Sequence, residues 1–298
     1  MVTVHDRAGL AIADRAGVPP GPDGPAWAGD ILGFRARVRG PAPVLRMMPA
    51  LFPPAPAWAT ASAASSGVDF EVRRDPARPE CYVIARDGEP LGEVTAWDDI
   101  LPTLEWAIDT AAVEHLGGRY LLLHAGALAR DGRGLILPAA SGSGKTTLTA
   151  ALLRAGFQYL GDEVAALQLA TWRLVPFAKS LCVKPGSRRA LAPLYPQLAA
   201  DDQRVAYIRP PDDGWPAAPV PVRHVVFPEY VSGARAALTP LTRAAALPRL
   251  LAHGFNVAAL GARGVEGLVE LLRGVECYAL TTGDLNRAVE ALVRVTGS

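Results

Sequence analysis

Apolar and polar residues alternate along this chain in two different rhythms, and the change between them divides it. Near the amino terminus the rhythm is every second residue. In "FRARVRG" Phe34, Ala36 and Val38 fall on one face and Arg35, Arg37 and Arg39 on the other, which predicts a strand with one solvated side. "VDFEVRR" (68–74) alternates in the same way, and "CYVIARDGEPLGEV" (81–94) reads as a hairpin turning at Asp87-Gly88. Between them, residues 41–58 carry too many prolines for more than a short helix near 44–51. Residues 1–30, rich in Gly, Pro and Asp, predict no firm element. The expected first region, 1–95, is therefore small and β-rich, with no catalytic motif of its own.

From residue 96 the period lengthens. Leu101, Leu104, Ile108 and Ala112 form a helical stripe that stops at Gly117-Gly118. Trp97 and Trp106 on this stretch read as packing residues. Two apolar strands follow, "YLLLHAGALAR" and "GLILP", joined by a turn at "DGR". Next come a helix over 145–155 closed by Gly156, and a short strand "FQYL". Strands are expected again at 164–170, 179–183, 222–227 and 276–280, with helices at 243–253, 264–273 and 284–293. Several neighbouring strands are linked by hairpin-like turns, so the expectation for 96–298 is an α/β domain on a mixed sheet.

Composition narrows the function classes. Of 298 residues, 50% are hydrophobic and 20% charged, and the net charge is +1, so nothing points to nucleic acid as a partner. No apolar run is long enough to span a bilayer, and the first residues lack the apolar core of a secretion signal, which favours a cytoplasmic protein without a membrane partner. Cys81, Cys182 and Cys277 are scattered, without zinc-site spacing, and read as ordinary thiols.

The chemistry concentrates in "AASGSGKT", residues 139–146. It satisfies the phosphate-loop pattern Gly-x-x-x-x-Gly-Lys-[Ser/Thr] everywhere except the first position, where Ala139 stands. Small residues let the backbone N–H groups of Ser141, Gly142, Ser143, Gly144, Lys145 and Thr146 curl around phosphate, with Thr147 in the first helical turn behind them. Lys145 neutralises terminal phosphates, and the Thr146 hydroxyl is suited to Mg²⁺. The loop's essential turns are expected at Gly142 and Gly144, so Ala139 should be tolerated. An apolar strand before the loop and an amphipathic helix after it supply the context the motif requires.

Asp162 and Glu163 end the next strand, with Asp162 only 17 positions beyond Lys145. That leaves room for one helix and one strand, which puts the acidic pair near the phosphate loop, where a nucleotide enzyme keeps its metal ligand and a kinase its base. His124 lies in mid-strand among apolar residues, and local evidence alone makes it a hydrogen-bonded core histidine. The other histidines carry no spacing signal.

His124, the loop and the acidic pair occur in the order and at the intervals that resemble the bacterial HPr kinase/phosphorylases. A closer likeness, over most of the chain, is to HPr kinase-related proteins. It is carried by "LPTLEWAID", "LLHAGALARDGRGLILPAASGSGKTTL", "YLGDEVA", "VPFAKSLCVK", "VAYIRPP", "HVVFPEY", "LTPLTRAAAL" and a "GFN" turn. The resemblance implies a PEP carboxykinase-like P-loop kinase domain with a mixed sheet, and it moves His124 into the active site. Two departures matter: Glu163 replaces the second Asp of the HPr kinases, and no counterpart of their phosphorolysis segment is found. Phosphate-dependent reversal is therefore not expected, and because the N-terminal region does not resemble the HPr kinase N-terminal domain, neither is HPr as the substrate.

The expected activity is phosphoryl transfer from ATP, with Mg²⁺, to a hydroxyl. The acceptor would be a serine of a peptide or small protein, or an alcohol-bearing metabolite. Lys145 and Thr146 would hold phosphate and metal, Asp162 would act as base through a hydrogen bond from His124, and Glu163 would be a second metal contact. Lys184, in "SLCVKPG", is a further candidate for the transferred phosphoryl group, since the resembling proteins carry Lys there. The competing reading is a nucleotide-binding regulator that at most hydrolyses ATP or GTP. ATP against GTP, the acceptor, homo-oligomer formation, the role of residues 1–95 and whether Asp162 or Glu163 is the base are left open by the sequence.

Overall fold

The computed structural model describes residues 3–5, 26–60, 67–199 and 205–297. The protein is mixed α/β with mixed sheets and an N-terminal β region, and its chain divides into two units. One comprises Met1–His115, Ala178–Pro185 and Asp201–Arg209; the other comprises Leu116–Phe177, Gly186–Ala200 and Pro210–Ser298.

The first unit is built on a five-stranded sheet in the order Ala26–Ile31, Phe34–Arg39, Gly67–Arg74, Tyr82–Arg86, Glu89–Val94. The period-two reading of Phe34–Arg39 is realised: Phe34, Ala36 and Val38 are fully buried while Arg35 and Arg39 are exposed. Asp87-Gly88 turns the hairpin with positive φ at both residues (49° and 87°), the geometry that matches strand twist. The strand Ala26–Ile31 is one that composition did not foretell, because its Gly and Asp mask the alternation.

Helix Ile100–Leu116 falls almost wholly in this unit because its polar side chains are tied there. Arg86 donates to Glu114 at 2.8 Å, Lys179 pairs with Glu105 and Asp109, and the Tyr207 hydroxyl donates to Glu105 at 2.6 Å. Trp106 does not pack as expected: it is 63% exposed, on the outer face of the helix opposite Leu104 and Ile108. Trp97 does pack, edge-on against Tyr82.

The second unit holds an eight-stranded sheet. Its path runs Arg173–Val175, Val164–Gln168, Tyr120–Arg130, Arg133–Pro138, Val220–Tyr230, Glu276–Thr282, Ala237–Leu241, with Gln158–Gly161 pairing beside Tyr120–Arg130. Val220–Tyr230 runs parallel to Arg133–Pro138 and to Glu276–Thr282, and the other pairs are antiparallel. Asp131-Gly132 turns the hairpin that leads to the phosphate loop, again with positive φ at both residues.

Both faces of this sheet are covered, which is why its strands read as continuous apolar runs rather than as alternations. Leu121, Leu123, Ala125 and Ala127 pack with Ala246, Leu250, Leu268 and Leu272 from helices Arg243–Ala252 and Ala262–Arg273. Leu128, Leu135 and Leu137 pack on the opposite face with Leu148, Leu152, Ala288 and Leu292 from helices Lys145–Arg154 and Leu285–Thr296. Burying each such leucine is worth about 1.5–3 kcal/mol. A side chain at Gly126 would place its Cβ 2.7 Å from Thr149 Oγ1, so glycine there lets the loop helix seat against the strand that carries His124. No helix among the described residues is long and apolar enough to cross a membrane.

Candidate functional site

The hairpin Tyr120–Arg130/Arg133–Pro138 sets the site's geometry. Its pairing ends at Ala125 opposite Pro138, where the second strand leaves to form the loop. His124, one residue beyond that last pair, therefore lies beside the loop's start, and on its other side it is in register with Val164. Register alone brings Glu163 next to His124.

The loop turns where expected. Gly142 and Gly144 have φ of 85° and 88°, a region that costs other residues about 1–2 kcal/mol. Ala139 is buried and is not among the residues with positive φ, so its methyl group is accommodated without backbone strain. Both the backbone N–H and the hydroxyl of Ser143 donate to the Ala140 carbonyl, which holds the loop's curvature. Gly144 caps the helix Lys145–Arg154, whose first N–H groups face the loop's concavity. Ser141 and Gly142 are exposed at the loop's rim, and Thr147 is half-buried in the first turn.

Lys145 is 5% exposed. Its ammonium donates to the Asp162 backbone carbonyl and lies 3.6 Å from both Asp162 Oδ1 and Glu163 Oε2. The Thr146 hydroxyl donates to Asp162 Oδ2 at 2.7 Å. Asp162 Oδ1 is buried and accepts no hydrogen bond from the described residues. A hydroxyl oxygen, a carboxylate and an unused buried acceptor beside a phosphate loop form a hard-oxygen donor set of the kind Mg²⁺ takes. Thr146 and Asp162 are the residues that fit it.

Glu163 shares Lys145 with Asp162 but has a different hydrogen-bond partner. It lies with Asp162 in the bend between Gln158–Gly161 and Val164–Gln168, where consecutive side chains diverge. His124 Nε2 is 3.0 Å from Glu163 Oε2. The sequence reading had His124 bonded to Asp162, and the structure corrects this: the histidine's partner is Glu163, while Asp162 is engaged by Thr146. The strand Gln158–Gly161 pairs with Tyr120–Arg130, the hairpin partner of the strand entering the loop, so the acidic pair does sit close to it. Lys184 belongs to the first unit, where it is exposed after the strand Leu181–Val183.

One segment of the site had no motif to announce it. His253–Asn256 runs alongside the free edge of the His124 strand, in the place the other hairpin strand vacates. His124 N–H donates to the His253 carbonyl and Phe255 N–H to the Leu122 carbonyl. Buried Asn256 accepts from Leu122 N–H and donates to the Gly117 and Tyr120 carbonyls. The His253 ring stands 6.3 Å from that of His124, and the Phe255 ring 5.8 Å. Burial, and secondarily the positive charge His124 can carry, push the His253 pKa below the ordinary histidine value and favour its neutral form. The "GFN" turn was the visible signal, since an Asn after Gly readily bonds backbone groups of a neighbouring segment.

A cleft of about 380 Å³ opens beside the loop, lined among others by Pro138, Ala140, Phe227, Glu229, Arg249 and His253. It lies at the carboxyl ends of parallel strands, where open α/β sheets bind their ligands. Elsewhere, Asp75, Cys81 and Glu93 cluster in the first unit, but Arg78 already pairs with both carboxylates, at 2.8 and 2.5 Å. No protein-family model and no curated protein matches the chain.

Proposed function

We propose that the protein is a cytoplasmic, ATP-dependent kinase of the HPr kinase-like type, on a PEP carboxykinase-like P-loop fold, that transfers the γ-phosphoryl group to a hydroxyl. The observation that carries this reading is the division of labour between the two carboxylates. Lys145 lies 3.6 Å from both, but Asp162 is hydrogen-bonded to Thr146, while Glu163 is hydrogen-bonded to His124 and is about one-third exposed. A binding module that only senses nucleotide has no use for the second pair.

In this reading the loop's backbone N–H groups and Lys145 bind the β- and γ-phosphates, and Lys145 exchanges its contacts to the acidic pair for phosphate oxygens. Thr146 and Asp162 would hold Mg²⁺, which would neutralise charge on the phosphates. Glu163 accepts the proton of the acceptor hydroxyl, and His124, hydrogen-bonded to Glu163, orients the carboxylate. The base is thus Glu163 and not Asp162. General-base assistance of this kind contributes about 10²–10⁴ in rate.

The test is incubation of the protein with extract from its own source and ATP carrying oxygen-18 on the γ-phosphate, followed by mass spectrometry. A labelled phosphorylated product that vanishes with Lys145→Ala is the expected result. Labelled inorganic phosphate as the sole product would replace the kinase with a nucleotide-hydrolysing regulator.

A further inference from the structure

The cleft beside the phosphate loop has charges that the transfer chemistry does not use. Arg249 lies with its guanidinium carbon 5.6 Å from the centre of the Phe227 ring, which fixes the cation against one wall. Glu229 is two residues along the same strand from Phe227, hence on the same face, and lines the cleft as well. Among the described residues neither Arg249 nor Glu229 has an ion-pair partner, and they do not pair with each other. One positive and one negative residue therefore line the same cleft without pairing. Burial disfavours the charged form of His253, the other ionisable side chain of the lining.

Position says which substrate the space serves. The cleft begins at Pro138 and Ala140, where the loop starts, and ends at His253, whose ring adjoins that of His124. His124 in turn holds Glu163. A molecule seated there has one end beside the terminal phosphate and the proposed base. Its volume is at the lower end of small-ligand clefts and is far too small for a folded partner.

We infer that this cleft is the acceptor subsite and that the acceptor is a free hydroxy amino acid, its carboxylate on Arg249 and its ammonium on Glu229. This rests on the kinase reading above and narrows it. The matched pair of opposite charges selects a zwitterion: a plain alcohol leaves both groups unused, and a purely anionic compound leaves Glu229 against like charge. In the reaction the side-chain hydroxyl gives its proton to Glu163 and its oxygen bonds to the γ-phosphorus. The bond from that phosphorus to the β-bridging oxygen breaks and ADP departs with the electron pair. The products are an O-phosphoamino acid, ADP and the proton that Glu163 releases.

The experiment measures ADP release and labelled product with L-serine, L-threonine and L-homoserine. N-acetyl-L-serine, L-serinamide and a short seryl peptide are run alongside. At least one free amino acid is expected to be phosphorylated, and capping either its amino or its carboxyl group lowers kcat/KM about 10- to 100-fold, the loss of one charged hydrogen-bonding contact. Arg249→Gln and Glu229→Gln, both at exposed positions, each raise KM for the amino acid by a similar factor while KM for ATP is unchanged. Capped compounds that react as well as the free ones overturn the inference. So does a rise in KM for ATP with Arg249→Gln, which would make the cleft the nucleoside's. Phosphorylation of the seryl peptide with the amino acids inert overturns it while leaving the kinase intact. Failure of every acceptor, with no labelled product from extract, overturns the kinase reading itself.

Discussion

Each of the two units contains a buried lysine facing two carboxylates, and only one of these clusters lies beside the glycine-rich loop. In the first unit Lys179 pairs with Glu105 at 2.6 Å and Asp109 at 2.7 Å, with the Tyr207 hydroxyl closing on Glu105. Lys179 and Glu105 are each 5% exposed and Tyr207 is fully buried. In the second unit Lys145 stands 3.6 Å from Asp162 and from Glu163. There the ammonium's close contact is the Asp162 backbone carbonyl rather than a carboxylate, and Glu163 and His124 are partly open to solvent. Residue types are nearly the same in both. Shorter ion pairs and lower exposure set the first cluster apart from the second.

This contrast breaks first at Glu163. Glu163→Gln should lower turnover about 10²- to 10⁴-fold with nucleotide binding retained, measured as ADP release and by titration of a fluorescent ATP analogue. Normal turnover in that variant would return the base to Asp162. Lys145→Ala should cost about 10²- to 10³-fold in turnover and weaken nucleotide binding as well, which the same two assays separate from the Glu163 effect.

Lys179→Ala should act on stability, by about 3–5 kcal/mol, since Glu105 and Asp109 are left as buried charges without their cation. Chemical denaturation reads this loss directly. A variant as stable as the wild type would show that the first cluster is not structural.

Gly144→Ala should cost about 1–2 kcal/mol, the price of a left-handed backbone in an L-residue, and should weaken ATP binding. Ala139→Gly, at a position without positive φ, should leave ATP binding unaltered. If the two variants behave alike, the loop's turns do not sit at the glycines named here.

The smallest effect is on pH. Burial lowers the pKa of His224 and of His253. Glu276, 3.9 Å from His224, opposes the shift there, and Arg133 and Arg223 add to it. A group whose folded pKa is depressed binds fewer protons folded than unfolded, so the folded state loses ground as pH falls through the unfolded histidine value, about 6.5. Denaturation midpoints should therefore drop between about pH 7.5 and 5.5, and His224→Gln should flatten that dependence. An unchanged wild-type midpoint would contradict it.

Much of the fold was legible because its rules are local. The strand Phe34–Arg39, the turns at Asp87-Gly88 and Asp131-Gly132, the loop helix and its closing Gly156 each follow from residues within a few positions of one another. Trp106 was misread because a helix buries only one stripe, and nothing in an isolated Trp says on which side of that stripe it falls. His253 and Asn256 were invisible for another reason. They reach the His124 strand from more than a hundred residues away, through the His253 backbone and the Asn256 side-chain amide, contacts that the local sequence pattern does not encode.

By itself the sequence determined that a phosphate loop follows an apolar hairpin, that its turns fall on Gly142 and Gly144, and that two carboxylates stand one short helix and strand beyond. Only the tertiary structure decided which carboxylate meets which partner. Adjacent residues have the same local signal but diverge in space, and their contacts depend on the register between strands: His124 opposite Val164 brings in Glu163 and leaves Asp162 to Thr146.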